Sequence, residues 1–273
     1  MPNLWFQDGT RIGYFENGRV IFMERKILRE PTTHHIHNYY EIEFITEGSG
    51  EYFHNGTAYP IRPGLLFYVT PTDFHQIIPR DPLTMITLII HEQMISPEWQ
   101  TFFMRQPGNN VYLLDQQETA QWNARFLTLE TEIAAKDGYA RENQTRLLEI
   151  MLSAVARMLS QQQKKQPKHT QFQRALDYIA HHYCEPLTLE EIAGAVGYTP
   201  QYFCSLFHRQ TGRQLMDFLT DLRLNHAKML LRTTDLSIIE ICFRSGFNSQ
   251  SSFFRHFRRF GQTPAAYRKE LRS

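Results

Sequence analysis

Apolar residues in the first third of the chain come in short runs, around Val20 to Met23, Ile42 to Ile45, Leu65 to Val69 and Met85 to Ile90, parted by turn-forming residues. Asn55-Gly56, between Glu51-Tyr52-Phe53 and Thr57-Ala58-Tyr59, predicts a tight hairpin, and Pro63-Gly64 marks another turn. Many short strands in roughly a hundred residues predict a small barrel or jelly roll. The rhythm then lengthens to that of helices, about Glu118 to Lys136 and Arg141 to Gln162. The second repeats Leu147, Leu148, Met151, Leu152, Val155, Met158 and Leu159, a stripe that either covers the barrel or pairs with a second subunit. Gln161 to Lys168 is a polar linker.

The last part of the chain repeats one helix-turn-helix pattern at an offset of 49: Thr188, Glu191, Ile192, Gly197, Tyr198 and Thr199 return as Ser237, Glu240, Ile241, Gly246, Phe247 and Asn248. After one extra residue Phe203 and Phe207 are matched by Phe253 and Phe257, and Gly212 then falls back into step with Gly261. Thr188-x-x-Glu191 and Ser237-x-x-Glu240 are capping boxes that start the first helix of each motif. Gly197 and Gly246 sit at the turns, where positive φ is cheapest for glycine. Thr199 and Asn248 are predicted to cap the second helices, with Pro200 in the first turn of one.

Second helices of such motifs lie in the major groove. Three-and-four spacing puts Tyr202, Phe203, Leu206 and Phe207 on the packing side of the first, leaving Gln201, Cys204, Ser205 and His208 facing away. In the second, Gln250, Ser251, Ser252 and Arg255 face away, with Arg258 and Arg259 one turn on. Gln250 and Arg255 are the stronger base readers because both can bond a base edge bidentately, while Arg258 and Arg259 suit phosphate. The bland reading is a pair of solvated helix faces, and the duplication argues against it. Arg213 to Arg232 carries a helical rhythm without Gly or Pro. Twenty residues at about 1.5 Å span roughly 30 Å, close to the ~34 Å between successive major-groove faces, so one helix can serve both motifs.

These residues resemble the DNA-binding domain of the AraC/XylS family of transcription regulators over about Phe172 to Arg268. The most specific stretch runs from Arg223-Leu224-x-x-Ala227 through Ile241-Cys242-x-x-x-Gly246-Phe247 and Ser252-Phe253-x-x-x-Phe257 to Gly261-x-Thr263-Pro264-x-x-Tyr267-Arg268. Cys242 stands where the family usually has a small residue such as Ala. The resemblance implies a regulator that binds double-stranded DNA, responds to a small molecule such as a sugar or related carbon source, and meets RNA polymerase if it activates.

Composition divides the chain the same way. Net charge is +1 over 273 residues; from Lys168 onward there are 14 basic and 9 acidic residues, which leaves the preceding part at −4. A basic domain joined to an acidic one suits a protein that grips phosphate with one end. No apolar run approaches the ~18 residues of a membrane span, and Met1-Pro2-Asn3-Leu4-Trp5 is not a signal peptide. Cys184, Cys204 and Cys242 lack metal or disulfide spacing, which fits a reducing cytoplasm.

The sharpest constellation in the acidic half is His35-x-His37-x-x-x-Glu41, with Gly48 beyond it and His75 after Pro71. Strand alternation puts His35, His37, Tyr39, Glu41 and Glu43 on one face and Ile36, Tyr40, Ile42 and Phe44 on the other. The run resembles the first half of a cupin motif, and Gly64 through Pro71 to His75 resembles the second half with altered spacing. Metal-binding cupins use three histidines and a carboxylate, and such donors suit zinc, nickel, manganese or iron. Three readings of His35, His37, Glu41 and His75 stand side by side: a divalent transition-metal site, polar lining of an effector pocket, and satisfied structural histidines or a solvent face. Trp5, Phe6, Arg19, His35, His37, Tyr39, Glu41 and His75 are the effector-pocket candidates. The amino-terminal aromatics are included because an amino-terminal arm closes over the ligand in sugar-responsive relatives.

The expected fold class is α+β. Residues 1–112 form a cupin-like sensing barrel, 113–162 a helical hairpin and candidate dimerisation element, 163–170 a linker, and 171–273 an all-α domain with two helix-turn-helix motifs. The expected function is a cytoplasmic, homodimeric, effector-responsive DNA-binding regulator with no catalytic residues, no required cofactor and no membrane partner. The alternative is a metal-dependent cupin oxygenase or isomerase fused to a DNA-binding domain.

Overall fold

The structure, a computed structural model, describes residues 5–7, 14–15, 20–37, 39–71, 73–104, 110–162 and 171–272. They fall into two compact units, one ending with Gln162 and the other beginning at Gln171. The predicted linker, 163–170, and Arg19 lie outside the described residues.

The first unit is built from two five-stranded sheets. One has the order β1 (Trp5–Gln7), β3 (His35–His37), β8 (His75–Pro79), β5 (Gly50–His54), β6 (Thr57–Ile61). The other runs β10 (Val111–Leu113), β7 (Leu65–Val69), β4 (Tyr40–Glu47), β9 (Leu83–Ile90), β2 (Ile21–Leu28). The β5–β6 hairpin turns at Asn55 and Gly56, with φ of 47° and 80°, the handedness that a two-residue turn between twisted strands demands.

Apolar runs in β7 and β9 are nearly continuous because their sheet is buried on both faces, while β4 alternates apolar residues with Glu41 and Glu43. Toward the other sheet, Ile45, Phe67, Val69 and Met85 pack with Tyr52, Ile61 and Ile77. Toward the helices, Tyr40, Ile42, Phe44, Leu66, Leu88 and Ile90 pack against Trp122, Phe126 and Leu129 of α2 (Gln116–Ala134). Leu148, Met151, Leu152, Val155 and Leu159 of α3 (Ala140–Gln162) complete that core. The buried residues of the α3 stripe therefore cover their own barrel. A short helix absent from the sequence reading, α1 (Pro97–Met104), precedes the last strand, which ends at Leu113.

The second unit is helical: α4 (Gln171–His182), α5 (Leu189–Ala195), α6 (Pro200–Thr211), α7 (Leu215–Thr233), α8 (Ile238–Arg244), α9 (Gln250–Phe257) and α10 (Pro264–Arg272). Both capping boxes form: Thr188 Oγ1 accepts from the Glu191 amide at 3.2 Å and Ser237 Oγ from that of Glu240 at 3.2 Å, while each glutamate returns to the cap amide. Gly197 and Gly246 take φ of 74° and 90°. Phe207 against Phe218 joins the first motif to α7, and Leu224, Ala227 and Leu231 of α7 pack with Ile241, Phe253 and Phe257 of the second.

Two local expectations are corrected. The cap of α9 is Ser249, whose Oγ accepts from the Ser252 amide at 3.2 Å, and not Asn248. The inserted residue precedes the cap, so the counterpart of Thr199 lies 50 positions on. Tyr202 is 50% exposed, its ring against Tyr198; the packing stripe is Phe203, Leu206 and Phe207, and Tyr202 lies about 100° round from Phe203.

Candidate functional sites: a polar barrel pocket and a paired helix-turn-helix face

The pocket of about 250 Å³ is lined by Tyr14, Lys26, Thr32, Thr33, His35, Tyr39, Glu41, Glu43, His75 and Ile77. The expected alternation holds from His35 to Glu43, although the run is two strands in different sheets. His35 faces His75 in register, with ring centroids 4.3 Å apart. Glu41 Oε2 lies 3.4 Å from His37 Nε2 and 3.7 Å from His75 Nε2. The His37 ring stacks on Tyr39 at 3.9 Å. Trp5 and Phe6 sit in β1, whose backbone runs parallel to His35 and Ile36.

Two nearby histidine tautomers follow from backbone bonds. Each Nδ1–H donates, from His35 to the Thr33 carbonyl at 2.8 Å and from His37 to the Tyr39 carbonyl at 2.8 Å, which leaves each Nε2 as a lone pair. His37 Nε2, both ring nitrogens of His75 and Glu43 Oε2 are buried without a hydrogen-bond partner among the described residues. Burial, with His37 alongside, lowers His35 to about 4; burial lowers His37 to about 3 against the pull of its Tyr39 bond. Burial and neighbouring imidazoles hold His75 well below its ordinary value. Burial raises Glu41 to about 7 despite Lys26, and burial with Glu41 raises Glu43 to about 8. Burial alone would lower Lys26, but Glu43, Glu41 and Glu24 outweigh it and raise the ammonium.

Ligand atoms of His35, His37 and His75 lie within 4.8 Å of one another, and so do those of Glu41, Glu43 and His75. Neutral imidazoles with free lone pairs beside a carboxyl group fit a divalent transition metal. Glu43, Lys26 and Tyr14 also line the pocket, beyond the residues expected from the sequence. Glu43 was legible as the next residue of the alternating face. Lys26 was not: it reaches Glu43 Oε1, at 3.9 Å, from β2 across the intervening β9.

In the helical unit Gln201, Ser205 and His208 are exposed and Cys204 half-buried on α6; Gln250, Ser251 and Arg255 are exposed and Ser252 half-buried on α9. Arg258 and Arg259 follow in a 3-10 turn, both exposed. Arg259 Nη1 contacts Asp221 Oδ1 of α7 at 3.2 Å, and Asp221 also binds Arg213. Among the described residues no helix is long and apolar enough to cross a membrane.

Residues 25–151 match the family model of the AraC-like ligand binding domain, and residues 192–270 match that of a helix-turn-helix domain. The chain is 26% identical over 246 residues to the uncharacterized HTH-type transcriptional regulator YfiF of Bacillus subtilis, covering 86% of this chain and 78% of that one. It is 23% identical over 272 residues to the HTH-type transcriptional activator RhaS of Escherichia coli, covering 94% and 95%. It is 34% identical over 105 residues to the melibiose operon regulatory protein of Escherichia coli, covering 37% of this chain and 35% of that one. A ligand-binding barrel carried with a helix-turn-helix unit, in a chain whose relatives are named as transcriptional regulators, defines a transcription regulator. The chain belongs to the AraC/XylS family of such regulators.

Proposed function

We propose that this chain is a cytoplasmic regulator in which a small molecule, a carbohydrate or related carbon source, occupies the barrel pocket and alters how a homodimer holds double-stranded DNA. RNA polymerase is the further partner if it activates. The convergence of His35, His75, Glu41, Glu43 and Tyr39 on one cavity carries this reading, because a pocket needs a few converging polar groups on shaped walls. A carbohydrate is supported by the relative named for the melibiose operon, and activation by the name of RhaS. In this reading Gln250 and Arg255 read base edges, with Ser251 and Ser252 beside them, Arg258 and Arg259 hold phosphate, and Gln201, Cys204, Ser205 and His208 form the first motif's groove face. No cofactor is required. A divalent transition metal, held by His35, His37, His75 and Glu41, would supply a positive centre for ligand oxygens.

Footprinting of the full chain is the test, with and without ligand, on the parent and on His37→Ala and Glu41→Ala. Protection over two successive major grooves that changes with ligand in the parent only is expected. Stable variants that still respond like the parent would remove this pocket from the sensing role.

A further inference from the structure

Both helix-turn-helix motifs are held to α7. Phe207 of α6 packs on Phe218 near the start of α7, and Phe253 and Phe257 of α9 pack with Leu224, Ala227 and Leu231 further along it. The distance and angle between α6 and α9 therefore depend on how each is fixed to that one helix. Asp221 stands between the two sets of apolar contacts and takes one arginine from each motif. Arg213 follows Gly212, the residue that ends α6, and its amide donates to Thr211 Oγ1 at 3.1 Å, so its backbone is tied to that helix. Its Nη2 donates to Asp221 Oδ2, with both side chains half-buried. Arg259 follows α9, in the turn that Gly261 closes, and its Nη1 donates to Asp221 Oδ1 at 3.2 Å. One carboxylate thus joins the C-terminal end of α6 to the C-terminal end of α9.

We infer that Asp221 is a positioning residue for DNA recognition: through Arg213 and Arg259 it fixes the separation and twist of α6 and α9, and with them the spacing of the two sequence boxes that the protein accepts on one duplex. Adding one base pair between the boxes moves the second by about 3.4 Å along the duplex and about 35° round it. Apolar packing on α7 is non-directional and tolerates such a shift better than a charge-assisted bond does. The bridge therefore supplies the directional part of the hold. Arg223, two residues on and so on another side of α7, donates to the Tyr183 and Glu185 carbonyls at 2.7 and 2.9 Å, so losing Asp221 loosens the unit without unfolding it. Because an ion pair that reaches the surface adds little to stability, the bridge shows in spacing tolerance rather than in melting temperature. This inference rests on both motifs reading one duplex.

Duplexes selected by the full-length parent from a random pool supply the two boxes and their spacing. The same boxes are rebuilt with one base pair added or removed between them, and competition binding gives the ratio of altered to unaltered affinity, in which any general loss of phosphate contact cancels. The parent should lose at least about tenfold on the altered sites, and Asp221→Ala and Arg259→Ala about threefold or less. Arg258→Ala removes a neighbouring phosphate candidate outside the bridge, so it should weaken all sites and keep the parent's ratio. Circular dichroism melting checks folding; if Asp221→Ala does not fold, Arg259→Ala carries the test alone, since it breaks one arm at the surface and leaves Arg213 paired. The inference is overturned if both variants keep the parent's ratio, if only Asp221→Ala relaxes it, or if Arg258→Ala relaxes it equally, which would trace the effect to phosphate contacts. A parent that selects a single box, or binds every spacing alike, removes the two-groove reading itself and the inference with it.

Discussion

Gly197 and Gly246 occupy the same turn of the two motifs and share a left-handed backbone, yet alanine should cost very different amounts at each. The backbone penalty is common, about 1–2 kcal/mol for a Cβ in the left-handed region. At Gly197 an added Cβ meets only the end of the Gln171 side chain at 3.9 Å, so little is added. At Gly246 it would lie 2.7 Å from the Tyr183 carbonyl oxygen, 2.8 Å from Arg223 Nε and 2.9 Å from the Cys184 Cα. Two of these are backbone, and Arg223 is pinned by bonds to the carbonyls of Tyr183 and Glu185 at 2.7 and 2.9 Å, so no neighbour moves cheaply. Overpacking of this kind adds roughly 1–3 kcal/mol. The expected losses are thus about 1–2 kcal/mol for Gly197→Ala and about 2–5 kcal/mol for Gly246→Ala. Urea unfolding of the full chain followed by far-UV circular dichroism measures both. Trp5, Trp99 and Trp122 all precede the helical unit, so tryptophan fluorescence should show the first unit unaffected. Equal midpoints for the two variants, or the greater loss at Gly197, would refute the packing argument.

Ser249→Ala should destabilise the helical unit by about 0.5–2 kcal/mol in the same experiment while Asn248→Ala spares it, because Ser249 is the residue that caps α9. Leu152→Ala should cost the first unit about 2–5 kcal/mol by tryptophan fluorescence and leave the sedimentation coefficient of the folded protein unchanged, since that side chain fills the core between the helices and the sheet. Below pH 6.5 the unfolded chain binds protons that His35 and His37, lowered to about 4 and about 3, refuse when folded, so their contribution is complete above pH 6.5 and falls as the pH drops below it. Glu43, raised to about 8, acts oppositely by holding a proton in the folded state between about 4.5 and 8. Glu43→Gln should therefore steepen the loss of stability on acidification, by up to about 1.4 kcal/mol per pH unit; a slope unchanged or shallower in denaturation series from pH 7 to pH 5 would contradict this. Arg255→Ala should cost about 1–3 kcal/mol of DNA affinity and relax discrimination at a subset of bases, as read by competition binding.

The paired helix-turn-helix was legible in the sequence because its devices are local. A capping hydroxyl and its glutamate lie three residues apart, and a turn glycine is needed where the chain must take positive φ, so Thr188, Glu191, Gly197, Ser237, Glu240 and Gly246 fixed their own elements. The same held for the Asn55-Gly56 hairpin and for the face shared by His35, Tyr39, Glu41 and Glu43, since alternation depends only on extended backbone. Tertiary structure decided what those faces meet. The α3 stripe reads identically whether it covers a sheet or joins a second subunit, and only the tertiary structure packs Leu148, Leu152 and Val155 with Phe44, Leu88 and Trp122. His75 stands beside His35 because β8 neighbours β3, and Lys26 reaches Glu43 because β2, β9 and β4 lie side by side. Those adjacencies join residues far apart along the chain, and no local propensity encodes them. They also turn a row of polar side chains into a buried pocket, because the charge and hydrogen-bonding balance of a site is set by the strands that enclose it.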